Sequence, residues 1–406
     1  MVGGVHRAVV AVGLALAVSG CSNPGSATPA PAPQPVPRDA TSDADITGLS
    51  GKPLYLALCA PCHGADLKGY VADHAPSLVS PTFLESASDD FLRRSIAVGR
   101  PGTSMAAYSK ALGGPLDSGA VESLVKLVRA QGPAVKPLAA TAPGDAAAGA
   151  VVYAKRCVAC HGDTRARGEA VSLANPQFQA AATDPFVRYA IASGRPGTKM
   201  EAFGGVLSDT DIDSVVAYVR GFGTGGAPAV LLLPEPTGKE PIVMNPAGRA
   251  PKFSMRADPC PPPAQGVPPC KPDPRYLSVD QVAAAVAANQ RIVIIDARPP
   301  SEWMRVHIAG AVSIPYHDMK RLDEVPKDGT WIIAYCACPH HLSGIVVDEL
   351  RKRGYAHAAV LDEGINEWHR RGLPVTSAAG VAKPLPEPGP SPGAFTTPMA
   401  PPATPR

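Results

Sequence analysis

The most constraining feature of this chain is a Cys-x-x-Cys-His pentapeptide that occurs twice, at residues 59–63 and 157–161. Random placement of 9 cysteines and 10 histidines along 406 residues gives about 0.005 copies, so chance does not explain the pair. The spacing is typical of covalent c-type haem attachment, in which the thiols bond to the porphyrin and the histidine binds the iron. A redox dithiol or half of a zinc site is an alternative for one copy. Neither alternative explains a histidine after each pair.

The two pentapeptides belong to an internal repeat with a period of about 100 residues. Tyr55 and Tyr153 precede the first cysteine of each motif by the same number of positions. A second shared stretch, Gly-Arg-Pro-Gly-Thr-x-Met, occupies residues 99–105 and 194–200. Each half closes with an amphipathic helix, predicted over 117–129 and 208–220, and Ser208 followed by Asp211 is typical of a capping box. We therefore expect two complete small helical domains.

This arrangement resembles the class I cytochrome c fold over residues 48–131 and 146–223. In that family a helix leads into the haem motif, and a methionine on the loop before the last helix is usually the sixth iron ligand. The resemblance implies two covalently bound haem c groups whose six-coordinate, low-spin irons carry electrons. The residues that it assigns are the thioether cysteines Cys59, Cys62, Cys157 and Cys160, and the axial pairs His63 with Met105 and His161 with Met200.

The choice of methionine ligands depends on position. Met105 and Met200 are the only methionines between residues 45 and 240. A methionine often fills a gap in a core, but a Pro/Gly-rich loop repeated in register does not suit that role. His74 is the one additional histidine of this region and a rival ligand, which we interpret as a loop residue.

The N-terminal 21 residues have the composition of a processed signal. A short basic region at His6 and Arg7 precedes an apolar run that is too short for a comfortable membrane span. The run ends in Val-Ser-Gly-Cys, which resembles the signal box of a bacterial lipoprotein, so we expect cleavage before Cys21 and lipid on its thiol. An ordinary secretory signal is the alternative. Residues 22–47 are expected to form a disordered Pro/Ala tether. The signal and the lipid together predict a location on the periplasmic side of the bacterial cell envelope.

Composition limits the remaining classes. A net charge of +3, with 18% charged residues and no basic block, makes nucleic acid a poor partner. The 47 prolines and 39 glycines predict small domains joined by connectors, at 132–145 and 224–275, and a disordered tail over 379–406. Cys260 and Cys270 bracket a proline-rich loop, and they form either a local disulfide or two free thiols.

The sequence pattern changes after residue 275. Buried strands are predicted over 291–296, 330–335 and 358–361, alternating with helices at about 277–288, 342–353 and 366–371, which implies an open parallel α/β sheet. Five motifs in order over 276–378 resemble the rhodanese family, among them Ile-Asp-Ala-Arg at 295–298, His-Ile-Ala-Gly-Ala at 307–311 and Tyr-Cys at 335–336. The expected fold class is two all-α cytochrome c domains followed by an α/β rhodanese-like domain with a parallel sheet.

In the rhodanese family the cysteine after the central strand accepts a sulfane sulfur and becomes a persulfide, and Cys336 holds that position. A thiol at a strand-to-helix turn faces backbone N–H groups and a helix N-terminus, which lower its pKa and hold anionic sulfur. The loop departs from the family pattern: His341 stands at about the point where an arginine is common, and Cys338 is additional.

Several roles stay open for this loop. Cys338 could resolve the persulfide, act as a decoy nucleophile or form a disulfide with Cys336, and the cysteines and histidines of the loop could also hold a metal. A rhodanese fold without activity, used for binding, is a further alternative. Asp296 and Arg298 are expected to anchor the sheet edge, and His307 is expected to be structural.

Three functions are compatible with these features. The first is a diheme carrier that couples oxidation of a sulfur compound to periplasmic electron transfer, with a sulfane-sulfur donor and a redox partner such as a soluble cytochrome, dehydrogenase or terminal oxidase. The second is the electron-transfer subunit of a separate dehydrogenase, with a non-catalytic docking or sensing domain. The third is chiefly a thiosulfate sulfurtransferase whose haems reset the redox state of Cys336 and Cys338. The link between sulfur and haem rests on the fusion alone.

Overall fold

A computed structural model describes Met1 and residues 46–223, 233–257, 271–337 and 340–378. The predictions for Cys21, most of the tether, the Cys260 and Cys270 pair, Cys338 and the tail therefore lie outside the described residues. Within the described ranges, no helix combines the length and the apolar character that crossing a membrane requires.

The first helical module spans residues 51–129. Its α-helices are α1 (Gly51–Leu58), α2 (Ala60–His63), α3 (Pro81–Ser86), α4 (Asp89–Val98) and α5 (Ser118–Arg129). Asp117 caps α5, because its side chain accepts a hydrogen bond from the Ala120 N–H, and this start agrees with the sequence prediction. The buried face of α5 includes Leu124 and Val125, packs against α1, and stabilises the module by roughly 1.5–3 kcal/mol per side chain.

The second helical module repeats this order over residues 146–220. Its helices are α6 (Ala146–Arg156), α7 (Val158–His161), α8 (Pro176–Ala181), α9 (Asp184–Ser193) and α10 (Asp209–Arg220). The capping box predicted for α10 is confirmed, since Ser208 and Asp211 exchange side chain to backbone hydrogen bonds. Helices α6 and α10 approach closely at Gly149, where a Cβ atom would lie 1.9 Å from the Ser214 carbonyl oxygen.

The two helical modules pack through equivalent surfaces. Helices α3 and α4 of the first module correspond to α8 and α9 of the second. Helix α3 contacts α9, and helix α4 contacts α8. At this contact the rings of Phe91 and Phe186 stack with centroids 4.9 Å apart. These two contacts are related by interchanging the modules, as at an interface with approximate twofold symmetry. The sequence repeat therefore corresponds to two modules packed through equivalent helices.

The described residues of the α/β module, 276–337 and 340–376, form seven strands and four α-helices. The strands are β1 (Tyr276–Leu277), β2 (Ile292–Asp296), β3 (His307–Ile308), β4 (Val312–Ser313), β5 (Trp331–Tyr335), β6 (Ala358–Leu361) and β7 (Val375–Thr376). The helices are α11 (Val279–Ala287), α12 (Pro300–Arg305), α13 (His341–Lys352) and α14 (Gly364–Arg370).

Five strands form one parallel sheet in the order β1-β6-β5-β2-β4, and β3 pairs with β7 in an antiparallel ribbon. Every residue of β2 and β5 is buried, as expected for a parallel sheet covered on both faces. The predicted strands and the parallel sheet are confirmed. The helix placed at 277–288 begins later, because Leu277 belongs to β1 and Ser278 caps α11.

Residues 233–257, which lie in the predicted proline-rich connector, pack against the α/β module. Met244 forms an antiparallel bridge with Ile292, and the Phe253 ring meets the Trp331 ring edge-on at 5.2 Å. Glu240 accepts a hydrogen bond of 3.0 Å from Arg321. This part of the connector is therefore an arm of the α/β module rather than a free linker.

Replacing Asp296 with alanine is expected to destabilise the α/β module strongly. The fully buried carboxylate accepts hydrogen bonds from Arg298 Nε at 2.9 Å, Arg298 Nη2 at 2.6 Å and the Tyr335 hydroxyl at 2.8 Å. Its loss leaves the buried Arg298 charge without its main partner, which costs about 3–5 kcal/mol. All three tryptophans lie in this module, at 303, 331 and 368, so urea unfolding followed by tryptophan fluorescence measures its stability.

Asp273→Ala is the matched control. The Asp273 side chain is 49% exposed and pairs with Arg275 and Arg351, so its loss is expected to cost less than about 1 kcal/mol. Equal losses in the two variants would contradict the assignment of Asp296 as the central buried anchor.

Candidate functional site

Each Cys-x-x-Cys-His motif lies on a short helix that follows a longer one, α2 after α1 and α7 after α6. The Nδ1 atom of His63 lies 2.9 Å from the Pro76 carbonyl oxygen, and that of His161 lies 2.8 Å from the Val171 carbonyl oxygen. Because a carbonyl only accepts, Nδ1 carries the proton in both rings and Nε2 keeps a lone pair for a metal. Burial lowers the pKa of both histidines, which favours the neutral, ligating form. The donor chemistry fits an axial iron ligand at each site.

A buried tyrosine fixes the turn after each histidine. The Tyr55 hydroxyl donates to the Gly64 carbonyl at 2.7 Å, and the Tyr153 hydroxyl donates to the Gly162 carbonyl at 2.6 Å. Both glycines have a positive φ, 78° and 68°, a conformation that other residues rarely adopt. Tyr55 and Tyr153, which occupy equivalent positions in the sequence repeat, therefore form equivalent hydrogen bonds in the two modules.

The Gly-Arg-Pro-Gly-Thr-x-Met stretch folds into the same closed turn in both modules. In the first, the Arg100 N–H donates to the Met105 carbonyl at 2.7 Å, and the Met105 N–H donates to Thr103 Oγ1 at 3.1 Å. In the second, the corresponding distances to Met200 are 2.8 Å from Arg195 N and 3.0 Å to Thr198 Oγ1. The backbone of each methionine is thus fixed by two hydrogen bonds. The role of both methionines as iron ligands stays a prediction.

Two further observations bear on the alternatives. Burial raises the pKa of Cys59 to about 12 and that of Cys157 to about 11, whereas a redox Cys-x-x-Cys pair has a lowered thiol pKa. The first cysteine of each motif therefore differs in this respect from that of a redox pair. His74 is exposed on a loop with a φ of 52°, as the interpretation of a loop residue requires.

Cys336 lies between β5 and α13, at the strand-to-helix turn that the sequence predicts. Its side chain is 1% exposed, and its Sγ lies 3.3 Å from the hydroxyl oxygen of Ser343 in the first turn of α13. Ser343 is a partner that sequence reasoning missed. Its position in the first turn of the helix that follows the reactive loop is the signal that could have identified it.

The two described histidines of this loop have different roles. His341 is the first residue of α13, and burial lowers its pKa, so the ring is neutral at pH 7 and brings no positive charge to an anion. His340 has a φ of 70°, lies with Nε2 2.5 Å from an Asp362 carboxylate oxygen, and packs against the Tyr276 ring at 4.2 Å. Of the described groups near Cys336, the N-terminus of α13 is the one that would favour an anion.

His307 has a structural role, as predicted. Its Nδ1 lies 2.7 Å from the Trp303 carbonyl oxygen, and its ring stacks on the Trp303 indole at 3.9 Å. Burial lowers the pKa of His307, so the stacked ring is neutral.

The α/β module packs on the first helical module, where α13 contacts α2, the short helix of the first Cys-x-x-Cys-His motif. The Leu58 carbonyl, the last of α1, accepts hydrogen bonds from Tyr316 at 2.8 Å and from Tyr108 at 3.2 Å. Ser301 donates to the Ala107 carbonyl at 2.7 Å. Sequence reasoning missed Tyr316 and Ser301, because a local sequence pattern does not predict contacts between distant segments of the chain.

Family models match two parts of the chain. Residues 278–371 match the family model of the rhodanese-like domain, and residues 144–219 match that of cytochrome C oxidase, cbb3-type, subunit III. The chain therefore contains a rhodanese-like domain and a cytochrome c domain of the cbb3 type, and the cytochrome homology implies haem c.

Individual relatives are similar to parts of the chain. Over 201 residues, 46% of this chain, it is 30% identical to the cbb3-type cytochrome c oxidase subunit FixP of Bradyrhizobium sp. (strain ORS 278), and it spans 66% of that relative. Over 112 residues it is 28% identical to a sulfurtransferase of Allochromatium vinosum, covering 26% of this chain and 96% of that one. A reducing HAO-like protein complex of Kuenenia stuttgartiensis aligns with a TM-score of 0.30 and 20% identity, over 43% of this chain and 96% of that chain.

Methionine ligation in both modules predicts two equal contributions to the absorption band that marks methionine-bound ferric haem. Met105→Ala and Met200→Ala are each expected to remove about half of that band, and the double variant all of it, because each loop would serve one iron. The measurement is the visible spectrum of the oxidised full chain, with haem content per polypeptide determined alongside. Met255→Leu, outside both loops, should keep the full band. A Met105→Ala variant with an unchanged spectrum would exclude ligation by this residue.

Proposed function

We propose that this protein is a diheme c-type electron carrier whose rhodanese-like domain transfers sulfur, and that it couples oxidation of a sulfur compound to electron transfer. Haem c, when bound, supplies one-electron redox chemistry. The residues that would hold it are Cys59, Cys62, His63 and Met105 in the first module, and Cys157, Cys160, His161 and Met200 in the second. We further propose that Cys21 carries a lipid that keeps the chain at the periplasmic face of a membrane.

The paired helical modules support the count of two haem groups. The histidine, tyrosine and methionine contacts are the same in both modules, so the residues that fit a haem in one also fit it in the other. The methionine loop of each module is bound to the opposite module: Thr82 donates to the Gly194 carbonyl at 2.6 Å, and Asn175 donates to the Pro101 carbonyl at 2.9 Å. Two one-electron sites with loops at a common interface suit a protein that passes electrons along its own chain.

The observation that carries the coupling is the packing of the rhodanese-like domain on the first haem-attachment helix. Tyr316 is 1% exposed and reaches the carbonyl immediately before Cys59. The helix that follows Cys336 packs on the helix that contains Cys62 and His63. Sulfur chemistry and electron transfer would then take place on neighbouring elements.

The sulfur step needs only the groups around Cys336 and a donor such as thiosulfate. The Cys336 thiolate attacks the outer sulfur, the Sγ–S bond forms, the S–S bond of thiosulfate breaks, and sulfite leaves with the bonding electron pair. The Ser343 hydroxyl lies within reach of the sulfur, and the N-terminus of α13 favours the anion. The neutral His341 makes this a weaker anion site than one with an arginine.

A second function is favoured by the burial of Cys336, which is 1% exposed beneath neighbouring elements. In that case the rhodanese-like domain docks or senses a partner, and the helical modules are the electron-transfer subunit of a separate dehydrogenase. Fast haem reduction by such a dehydrogenase, with no sulfur uptake at Cys336, would support it.

Thiosulfate is expected to add one sulfur atom to Cys336 and to reduce the haem of the oxidised protein, because the released sulfite and one water molecule give sulfate, two protons and two electrons, one electron for each of the two proposed haems. Cys336→Ser should abolish both effects, since its hydroxyl forms no persulfide. The measurement is peptide mass spectrometry together with the haem absorption bands on the same sample. Cys338→Ser is the control and should still take up sulfur. If Cys336→Ser behaves like the unmodified chain, the coupling is wrong.

A further inference from the structure

The two segments that contain the Cys-x-x-Cys pairs differ in their exposure. Residues 154–160 of the second helical module contain no buried residue, and Cys160 is exposed. Residues 56–62 occupy the corresponding positions of the first module and contain no exposed residue, and Leu58 is 2% exposed. Both segments run from a longer helix into a short one, so the difference comes from what packs on each of them.

The rhodanese-like domain packs on the first of these segments. Helix α13 contacts α2, and the Tyr316 hydroxyl donates to the Leu58 carbonyl at 2.8 Å. Tyr316 is itself 1% exposed. A partner protein cannot reach the first segment without displacing this domain, whereas the second segment is open.

The charge of the two segments differs at the same positions. Ala57 and Leu58 of the first module correspond to Lys155 and Arg156 of the second, counted from the first cysteine of each motif. Both cations are exposed, and neither forms an ion pair within the described part of the chain. The second module therefore presents two unpaired positive charges directly before its first haem-attachment cysteine.

Apolar groups lie beside these charges. Val151 precedes Lys155 by one turn of α6, on the same face of the helix, and is 54% exposed. Ala159 and Cys160 are exposed at the other end of the segment. An apolar centre with a polar rim is typical of protein interfaces. We call the exposed side chains of Val151, Lys155, Arg156, Ala159 and Cys160 the α6–α7 surface.

We propose that the α6–α7 surface docks an electron-accepting protein that carries carboxylate groups around its own redox centre. The inference rests on the diheme carrier proposed above. The partner takes one electron from the second haem and is reduced as that haem is oxidised, and no bond forms or breaks. Opposite charges steer such a pair together and raise its association rate. Electrons that start at the sulfur site then leave the chain through the second module.

Lys155 and Arg156 also lie in the last turn of α6, where cations favour the helix macrodipole. That structural role predicts a small loss of stability on substitution. It predicts no dependence of electron transfer on salt, so the salt dependence of the rate separates the two roles.

The test mixes intact holoprotein, reduced with dithionite and desalted, with an oxidised acidic blue-copper protein in a stopped-flow instrument. Haem oxidation is followed at several salt concentrations, and the rate constant is expected to fall as salt rises, because salt screens the attraction. Lys155→Glu combined with Arg156→Glu should lower the rate constant at low salt by about tenfold or more.

Lys110→Glu combined with Lys126→Glu is the matched control, because it makes the same change of net charge at exposed positions of the first helical module. This variant should keep most of the rate. The donating haem is identified separately: replacing Cys157 and Cys160 by alanine should remove the fast oxidation, and replacing Cys59 and Cys62 should retain it.

Four results overturn the inference and leave the proposed sulfur transfer intact, because the protein is reduced chemically. They are an equal loss of rate in the two charge variants, a rate that does not fall with salt, a faster reaction with a basic blue-copper protein, and fast oxidation that persists without the second attachment site. A holoprotein with a single haem overturns both the inference and the proposed diheme carrier.

Discussion

A helix that ends inside a protein leaves carbonyl groups that need donors, and the last carbonyl of α1 finds them in two tyrosine hydroxyls. One belongs to Tyr108 of the first helical module and the other to Tyr316 of the rhodanese-like domain. The hydroxyl oxygens lie 3.4 Å apart in a buried contact directly before the first haem motif. This contact places the rhodanese-like domain beside the first Cys-x-x-Cys-His motif, and the coupling proposed above depends on that placement.

The two helical modules have the same internal construction and different surroundings. Each holds its histidine through a carbonyl, its turn through a tyrosine and its methionine loop through a threonine. The difference lies at one position of the methionine loop, where the first module has Ser104 against the rhodanese-like domain and the second has the exposed Lys199. The internal repeat therefore accounts for the shared contacts, and the two loops differ at a position where the first module meets the rhodanese-like domain.

Features with a local signature were predictable from sequence. The haem motifs, the capping box at Ser208 and the buried strands each depend on residues close together in the chain, and their spacing or periodicity is visible directly. The position of Cys336 at the end of β5 was predictable for the same reason. The neutral state of His341 was also predictable, because burial disfavours the charged form of an imidazole and lowers its pKa.

The remaining features depend on contacts between distant segments. Tyr316 meets Leu58, Ser301 meets Ala107, and Glu302 shares a cavity with Ser104. No periodic pattern links such pairs, and the arm over residues 233–257 has a composition like that of a linker. Sequence reasoning therefore proposed candidate reactive groups and missed the contacts between the modules that contain them.

The most direct test of this account compares the quenching of tryptophan fluorescence by each haem. All three tryptophans lie in the rhodanese-like domain, and quenching by haem weakens steeply with distance. Replacing Cys59 and Cys62 by alanine removes the first attachment site, and replacing Cys157 and Cys160 removes the second. The account predicts a clearly larger gain in fluorescence for the first pair, in samples shown by circular dichroism to be folded. An equal gain, or a larger one for the second pair, would contradict it.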